Sequence, residues 1–134
     1  MKQPDYNKII NQLNTDNVWV EKRVDLNINA DQYIALLKGY LPHWDMRYGI
    51  MFNHFDYYLY AYRSGYVVGK YQFRKNGIDS YTCTEMYDNP DKSSDYHVLF
   101  EIIREACKIN QVDIDFRKLE EQMIKTRTMN EIAI

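Results

Sequence analysis

The sequence predicts an α+β fold in which helices pack on an antiparallel sheet of about five strands. Two patterns predict it. Apolar residues recur at helical spacing towards both ends of the chain, whereas residues 45–86 read as consecutive strands separated by turn-forming dipeptides. The expected order is helix, strand, helix, four-strand meander, helix, helix. The chain has 134 residues, the length of one domain, so residues 1–134 are expected to form a single domain with its own core.

The first three elements are a helix, a strand and a second helix. The first helix follows Pro4, and its apolar stripe consists of Tyr6, Ile9, Ile10 and Leu13. Residues 18–28 largely alternate between apolar and polar, which is typical of a strand with one buried face. Asn29 and Gln32 have the spacing of a capping box that begins the second helix, and Gly39 ends it.

The meander depends on three candidate two-residue turns: Asn53-His54, Ser64-Gly65 and Asn76-Gly77. After it, a helix is expected from about residue 94 to residue 109. Its inward residues are Leu99, Ile102, Ile103, Ala106 and Cys107. A last helix is capped by Asp113 or Asp115, with Phe116, Leu119, Met123 and Ile124 facing inward and residues 129–134 as a frayed or edge-docked tail.

Residues 55–66 hold five tyrosines, and the turns assign these to faces because side chains directly opposite in paired strands share a face. With two-residue turns, Phe52 pairs with Phe55, and Arg63 pairs with Tyr66. One face, expected to be the core, then carries Met46, Tyr48, Ile50, Phe52, Phe55, Tyr57, Leu59, Ala61 and Val68. The other face is the predicted binding surface, with Arg47, Tyr58, Tyr60, Tyr62, Tyr71 and Phe73. A slip of one residue at either turn would exchange the faces.

Composition excludes several classes of function. The net charge of −2 gives no support for bulk attraction to nucleic acid or membrane. Two cysteines are too few for a disulfide framework and favour a reduced, cytoplasmic protein. No apolar run is long enough to span a bilayer. No cofactor is expected.

Possible catalytic or metal-binding residues have simpler explanations. His54-Phe55-Asp56 would need a third ligand to hold a metal, and a histidine beside a turn usually has no such role. Asp113 and Asp115 fit helix capping better than a nuclease fragment. The segment 65–70 lacks the spacing and the Ser/Thr of a phosphate loop. We therefore predict neither catalytic residues nor a metal site.

The leading hypothesis is a small non-enzymatic protein that binds another protein, or a second copy of itself, through the tyrosine face or a sheet edge. An inhibitor or accessory protein of a phage or mobile element is one such role, although no residue indicates it. The first alternative is single-stranded nucleic-acid binding, in which Tyr58, Tyr60 and Tyr71 stack on bases within a rim of basic residues: Arg47, Arg63, Lys70, Arg74 and Lys75. The second is a metal-dependent hydrolase or nuclease using Asp113, Asp115 or His54.

Overall fold

The computed structural model describes residues 19–40, 48–63, 66–89 and 97–132. These residues form the α+β fold that the sequence predicts, with three helices on a six-stranded antiparallel sheet. The strands are β1 (Val20–Lys22), β2 (Asn27–Ile28), β3 (Gly49–Phe52), β4 (Leu59–Arg63), β5 (Tyr66–Lys75) and β6 (Tyr81–Asp88). The helices are α1 (Ala30–Lys38), α2 (His97–Ile109) and α3 (Phe116–Ile132). The predicted helix that follows Pro4 lies outside the described residues, as does Arg47.

The sheet order is β1-β6-β5-β4-β3, and β2 pairs with the same edge of β6 as β1. The segment predicted as one strand over residues 18–28 is therefore two strands, which accounts for the sixth. Lys22 pairs with Met86 and Asn27 pairs with Thr82, so the edge segment advances five residues while β6 advances four. This extra residue interrupts the ladder between β1 and β2.

The main core lies between one face of the sheet and the helices. All five predicted inward residues of α2 are buried. The predicted capping box begins α1, where Asn29 Oδ1 accepts from Gln32 N at 2.9 Å and Gln32 Oε1 accepts from Asn29 N at 2.9 Å. Gly39 ends α1 at φ +68°, a conformation that glycine adopts without steric cost. These local signals were sufficient to locate α1 and α2.

A bulge in β5 corrects the predicted faces. Arg63 pairs with Tyr66 as predicted, but Tyr62 pairs with Val67 while Ala61 pairs with Gly69, so Val68 is an extra residue. Beyond it the register shifts by one. Tyr71 and Phe73 therefore lie in the main core with the helices, not on the face of Tyr58, Tyr60 and Tyr62.

The charge of Lys70 explains why the bulge is favourable. In the predicted register Lys70 would face the helices, where burial of an unpaired ammonium is costly. With the bulge, Lys70 pairs with Tyr60 on the opposite face, and the uncharged ring of Tyr71 enters the core in its place. A second shift, between β5 and β6, similarly puts Cys83 opposite Phe73 in the core and leaves Glu85 opposite Gln72.

Two predicted turns are longer than two residues. Phe52 pairs with Leu59, so residues 53–58 form the β3–β4 loop, and Phe55 and Tyr57 are exposed instead of being core residues. Lys75 pairs with Tyr81, so residues 76–80 form the β5–β6 loop and Asn76-Gly77 is not a two-residue turn.

The last helix differs from its prediction in which residues it buries. Asp115 is its cap, since Asp115 Oδ1 accepts from the backbone amides of Arg117 at 3.0 Å and Lys118 at 3.2 Å. Leu119 is buried and Met123 packs partly buried against the main core, as predicted, but Phe116 and Ile124 are exposed. The helix continues to Ile132 and Asn130 bonds to Arg23 at the sheet edge, so of the two predicted alternatives for its end the edge-docked one is correct and the frayed one is wrong.

Candidate functional site

The β3–β4 loop, residues 53–58, is closed by its own hydrogen bonds. Asn53 N donates to Tyr58 O at 3.0 Å, and Tyr57 N donates to Asn53 O at 2.8 Å. Asn53 Oδ1 also accepts from Phe55 N at 2.9 Å, the side-chain turn that asparagine makes with the residue two positions on. The loop therefore has a defined conformation without help from a partner.

Asp56 fastens this loop to the sheet. Its Oδ1 atom accepts from Tyr58 N at 3.0 Å, and its Oδ2 atom accepts from the hydroxyl of Tyr60. Tyr60 is a buried residue of β4. Burial, together with the hydrogen bond to Asp56, raises the pKa of Tyr60, so its hydroxyl keeps the proton that it donates.

The β3–β4 loop exposes aromatic side chains to solvent, and we call residues 53–58 the aromatic loop. Phe55 is 93% exposed and Tyr57 is 66% exposed, and the His54 side chain is exposed as well. The His54 ring meets Phe52 edge-on at 5.0 Å between centroids. Tyr57 has a φ of 62°, which is costly for a residue other than glycine. A strained backbone that holds a large apolar ring in water points to a role for that ring.

A second aromatic feature lies next to the loop, on the sheet face opposite the main core. The Lys70 ammonium sits 4.7 Å from the ring centroid of Tyr58, 4.9 Å from that of Tyr87 and 5.3 Å from that of Trp19. These distances are within the range of cation–π attraction. We call these four residues the lysine cage.

Glu85 organises the two tyrosines of the lysine cage. It accepts a hydrogen bond from Tyr58 Oη at 3.1 Å and from Tyr87 Oη at 2.9 Å. Burial, with this hydrogen bond and the Glu85 charge, raises the pKa of Tyr58 to about 12. The hydrogen bond to Glu85 is the main cause of the raised pKa of Tyr87. Both phenols are therefore neutral donors at physiological pH.

The six residues of the predicted binding surface do not form one surface. Arg47 lies outside the described residues. Tyr60 and Tyr62 are buried in a small cluster with Val67, and Tyr71 and Phe73 belong to the main core. Tyr58 is partly exposed and joins the lysine cage. A contact role for these residues stays a prediction, but the four buried rings do not present an open platform.

Among the described residues, the two most exposed aromatic side chains are Phe55 and Tyr57, which the sequence predicts to be core residues. That prediction depends on Asn53-His54 being a complete two-residue turn. The informative signal was the polar pair Asn53 and Asp56 around Phe55, because both side chains readily bond nearby backbone amides and so favour a longer loop.

Of the two carboxylates considered for catalysis, Asp115 has a structural role, and the nearby Asp79 has a similar one. Asp115 caps α3, and Asp79 Oδ1 accepts from Ala30 N at 2.8 Å at the start of α1. Both line an open cleft of about 690 Å³ between β2, α1 and α3, together with Asp113. Within the described ranges, no group of three or more His, Cys, Asp or Glu side chains is placed to hold a metal ion.

Comparison with protein-family models, curated protein sequences and solved structures finds no match to this chain. Among the helices of the described residues, none is both long and apolar enough to cross a membrane. The geometry of the aromatic loop and the lysine cage is therefore the basis for any functional proposal.

Proposed function

We propose that this chain is a small non-enzymatic protein that binds another protein through the aromatic loop, residues 53–58. The observation that carries the proposal is Phe55, a ring 93% exposed on a loop whose conformation is already set by hydrogen bonds. The partner would bury this ring and that of Tyr57.

Two physical arguments support a protein as the ligand. Aromatic residues that become buried at the centre of an interface contribute a large share of binding energy. A loop held in one conformation loses little entropy on binding, so more of that energy appears as affinity. The polar groups around Phe55, from His54 and Asp56, match the usual polar rim of such an interface.

Phe55→Ala tests the proposal, with Ile78→Ala as a matched control. Ile78 is 97% exposed at the tip of the β5–β6 loop, so both variants remove an exposed apolar side chain and should change the free energy of unfolding by less than about 0.5 kcal/mol. The wild type and both variants serve as baits for affinity capture from the native host, with quantitative mass spectrometry. We expect a partner retained by wild type and Ile78→Ala and lost with Phe55→Ala.

Two results would overturn this proposal. One is the same set of captured proteins with Phe55→Ala as with wild type. The other is equal loss with both variants, which would indicate non-specific adhesion of exposed apolar groups. Loss of self-association with Phe55→Ala, measured by light scattering, would identify the partner as a second copy of the chain.

We also propose that the protein is located in the cytoplasm. Cys83 and Cys107 are both free thiols, which supports a reducing compartment.

Single-stranded nucleic acid is the second candidate ligand, and the position of Lys70 favours it. Lys70 lies on the same sheet face as Tyr58, Trp19 and Tyr87, which combines a cation with stacking surfaces. Binding of this kind should weaken steeply with salt and be lost with Lys70→Ala but kept with Phe55→Ala. The same two variants therefore distinguish the two ligands.

A further inference from the structure

Helix α3 bonds to the outer edge of the sheet through side chains instead of through a strand. The backbone amides of Arg23, Asp25 and Asn27 point away from β6. They donate to Asn130 Oδ1 at 2.9 Å, Thr126 Oγ1 at 3.0 Å and Gln122 Oε1 at 2.7 Å, respectively. We call these three side chains of α3 the polar row.

The polar row reproduces the hydrogen-bond pattern of an antiparallel strand. Asn130 Nδ2 donates back to Arg23 O at 2.9 Å, so one side chain exchanges two bonds with one edge residue, as paired strand residues do. Thr126 Oγ1 likewise donates to Asp25 O at 3.4 Å.

The spacing of the polar row also matches a strand. Alternate residues of a strand are about 6.6 Å apart, and residues four apart in a helix are about 6.0 Å apart along the axis. The order runs in opposite directions, since Gln122 meets Asn27 and Asn130 meets Arg23. The helix therefore occupies the position that a seventh, antiparallel strand would take.

The apolar contact of α3 with the main core comes mainly from Leu119 and the partly buried Met123. Of the α3 side chains that the structure describes, only Leu119 and Thr126 are buried. Phe116 and Ile124 remain 59% and 52% exposed. A competing strand could supply the same edge bonds, so the net energetic cost of replacing the polar row is small.

We infer that the outer edge at residues 23–27 is a docking site for an extended segment of a partner protein, and that α3 occupies this edge in the free protein. Strand addition to an exposed sheet edge is a common way of binding peptides. The inference concerns a surface separate from the aromatic loop and does not depend on the proposed function.

Charge indicates which extended segment fits. Asp25 is paired with Lys125 of α3, with Lys125 Nζ 3.9 Å from Asp25 Oδ2. A segment that displaces α3 also removes this lysine, so a basic residue opposite Asp25 would restore the pair. Edge-to-edge pairing of two copies centred on this residue would instead place two Asp25 carboxylates opposite each other, which disfavours a second copy as the occupant.

Hydrogen exchange of the wild-type protein tests the inference directly. The probes are two peptides, Thr-Val-Thr-Lys-Thr-Val-Thr and the same peptide with Glu at its centre. We expect saturating Lys peptide to speed amide exchange in α3 while the amides of Arg23, Asp25 and Asn27 stay protected. The Glu peptide should have at least a tenfold weaker effect at equal concentration, since like charges then face each other. Unchanged exchange in α3 with the Lys peptide would show that α3 is only a permanent edge cover.

A variant of the polar row gives a second readout. Gln122→Met, Thr126→Val and Asn130→Leu together remove its hydrogen bonds with little change in volume. Because apparent affinity scales with the population of the open state, we expect the Lys peptide to bind this variant about tenfold or more tightly than wild type. Glu120→Met, Thr128→Val and Glu121→Leu alter exposed positions of α3 and should leave affinity unchanged.

Each result with the variants supports or overturns the inference. Equal affinity of the polar-row variant and wild type would overturn it. Dimers of the polar-row variant that exclude the peptide would make a second copy the occupant and overturn the partner assignment. If the polar-row variant does not fold, the exchange experiment on wild type decides alone.

Discussion

Gly69 and Tyr71 lie two residues apart on the same side of β5, and the tyrosine ring lies over the glycine. A Cβ atom at position 69 would come within 2.9 Å of Tyr71 Cζ and 3.3 Å of Tyr87 O. The absence of a side chain at Gly69 is therefore what allows a whole tyrosine ring into the core at this point.

The Tyr71 hydroxyl leads to the first prediction. It is fully buried, and among the described residues it has no hydrogen-bond partner. An unsatisfied buried hydroxyl costs about 1–3 kcal/mol, so Tyr71→Phe should raise the free energy of unfolding by about 1 kcal/mol in urea denaturation. Tyr62→Phe is the control, because the Tyr62 hydroxyl donates to Tyr40 O at 3.4 Å and its removal should not stabilise the protein. A Tyr71→Phe variant less stable than wild type would contradict this account.

At the scale of elements, the β3–β4 loop depends on a single carboxylate. Asp56 accepts from Tyr58 N and from the buried Tyr60 hydroxyl, so it connects the loop to β4. This arrangement explains how the loop can keep Phe55 in water without collapsing onto the sheet.

Asp56→Ala should lower the free energy of unfolding by about 1–3 kcal/mol, because it leaves the Tyr60 hydroxyl buried without an acceptor. Tyr60→Phe removes that hydroxyl, so the double variant should be less destabilised than the sum of the two single variants. A double-mutant cycle in urea measures this coupling, expected at about 0.5–3 kcal/mol. Additive effects would show that the bond between Asp56 and Tyr60 contributes nothing to stability. Asp56→Ala should also weaken partner capture although Phe55 is intact.

Other elements show where local patterns suffice. The capping box at Asn29 and the apolar stripe of α2 depend only on residues within a few positions of each other, so the sequence located them correctly. The end of α3 depends on a distant segment, since Asn130 bonds to Arg23. No pattern within residues 116–132 shows that partner, so the sequence left a frayed and an edge-docked end as alternatives, and the structure has the edge-docked one.

At the scale of the whole molecule, buried acidic protons make stability sensitive to high pH. Burial raises the pKa of Cys83 to about 12 and that of Cys107 to about 11, from an ordinary value of 9.0. Burial and the hydrogen bond to Glu85 raise the pKa of Tyr58 to about 12 from 10.0. Each group therefore keeps its proton in the folded protein at a pH where the unfolded chain has lost it.

The sign of the effect follows from proton linkage. Below pH 9.0 these three groups are mainly protonated in both states and contribute little pH dependence. As the pH rises from about 9 to about 12, the unfolded chain releases protons that the folded protein retains, so the free energy of unfolding should fall. Urea denaturation at pH 8 and at pH 10.5 measures the loss. A Cys83→Ala, Cys107→Ala variant should show a smaller loss, and an equal loss in that variant would assign the effect to the tyrosines alone.

The sequence by itself determined the fold class, the boundaries of α1, the buried stripe of α2 and the pairing of Arg63 with Tyr66. Each of these depends on residues close together in the chain. Only the tertiary structure decided the faces of the sheet. The bulge at Val68 depends on whether Lys70 or Tyr71 faces the helices, a cost that exists only once the helices are in place. The tertiary structure likewise decided that Phe55 lies in water and that α3 takes the position of a strand, because both depend on contacts between segments far apart in the sequence.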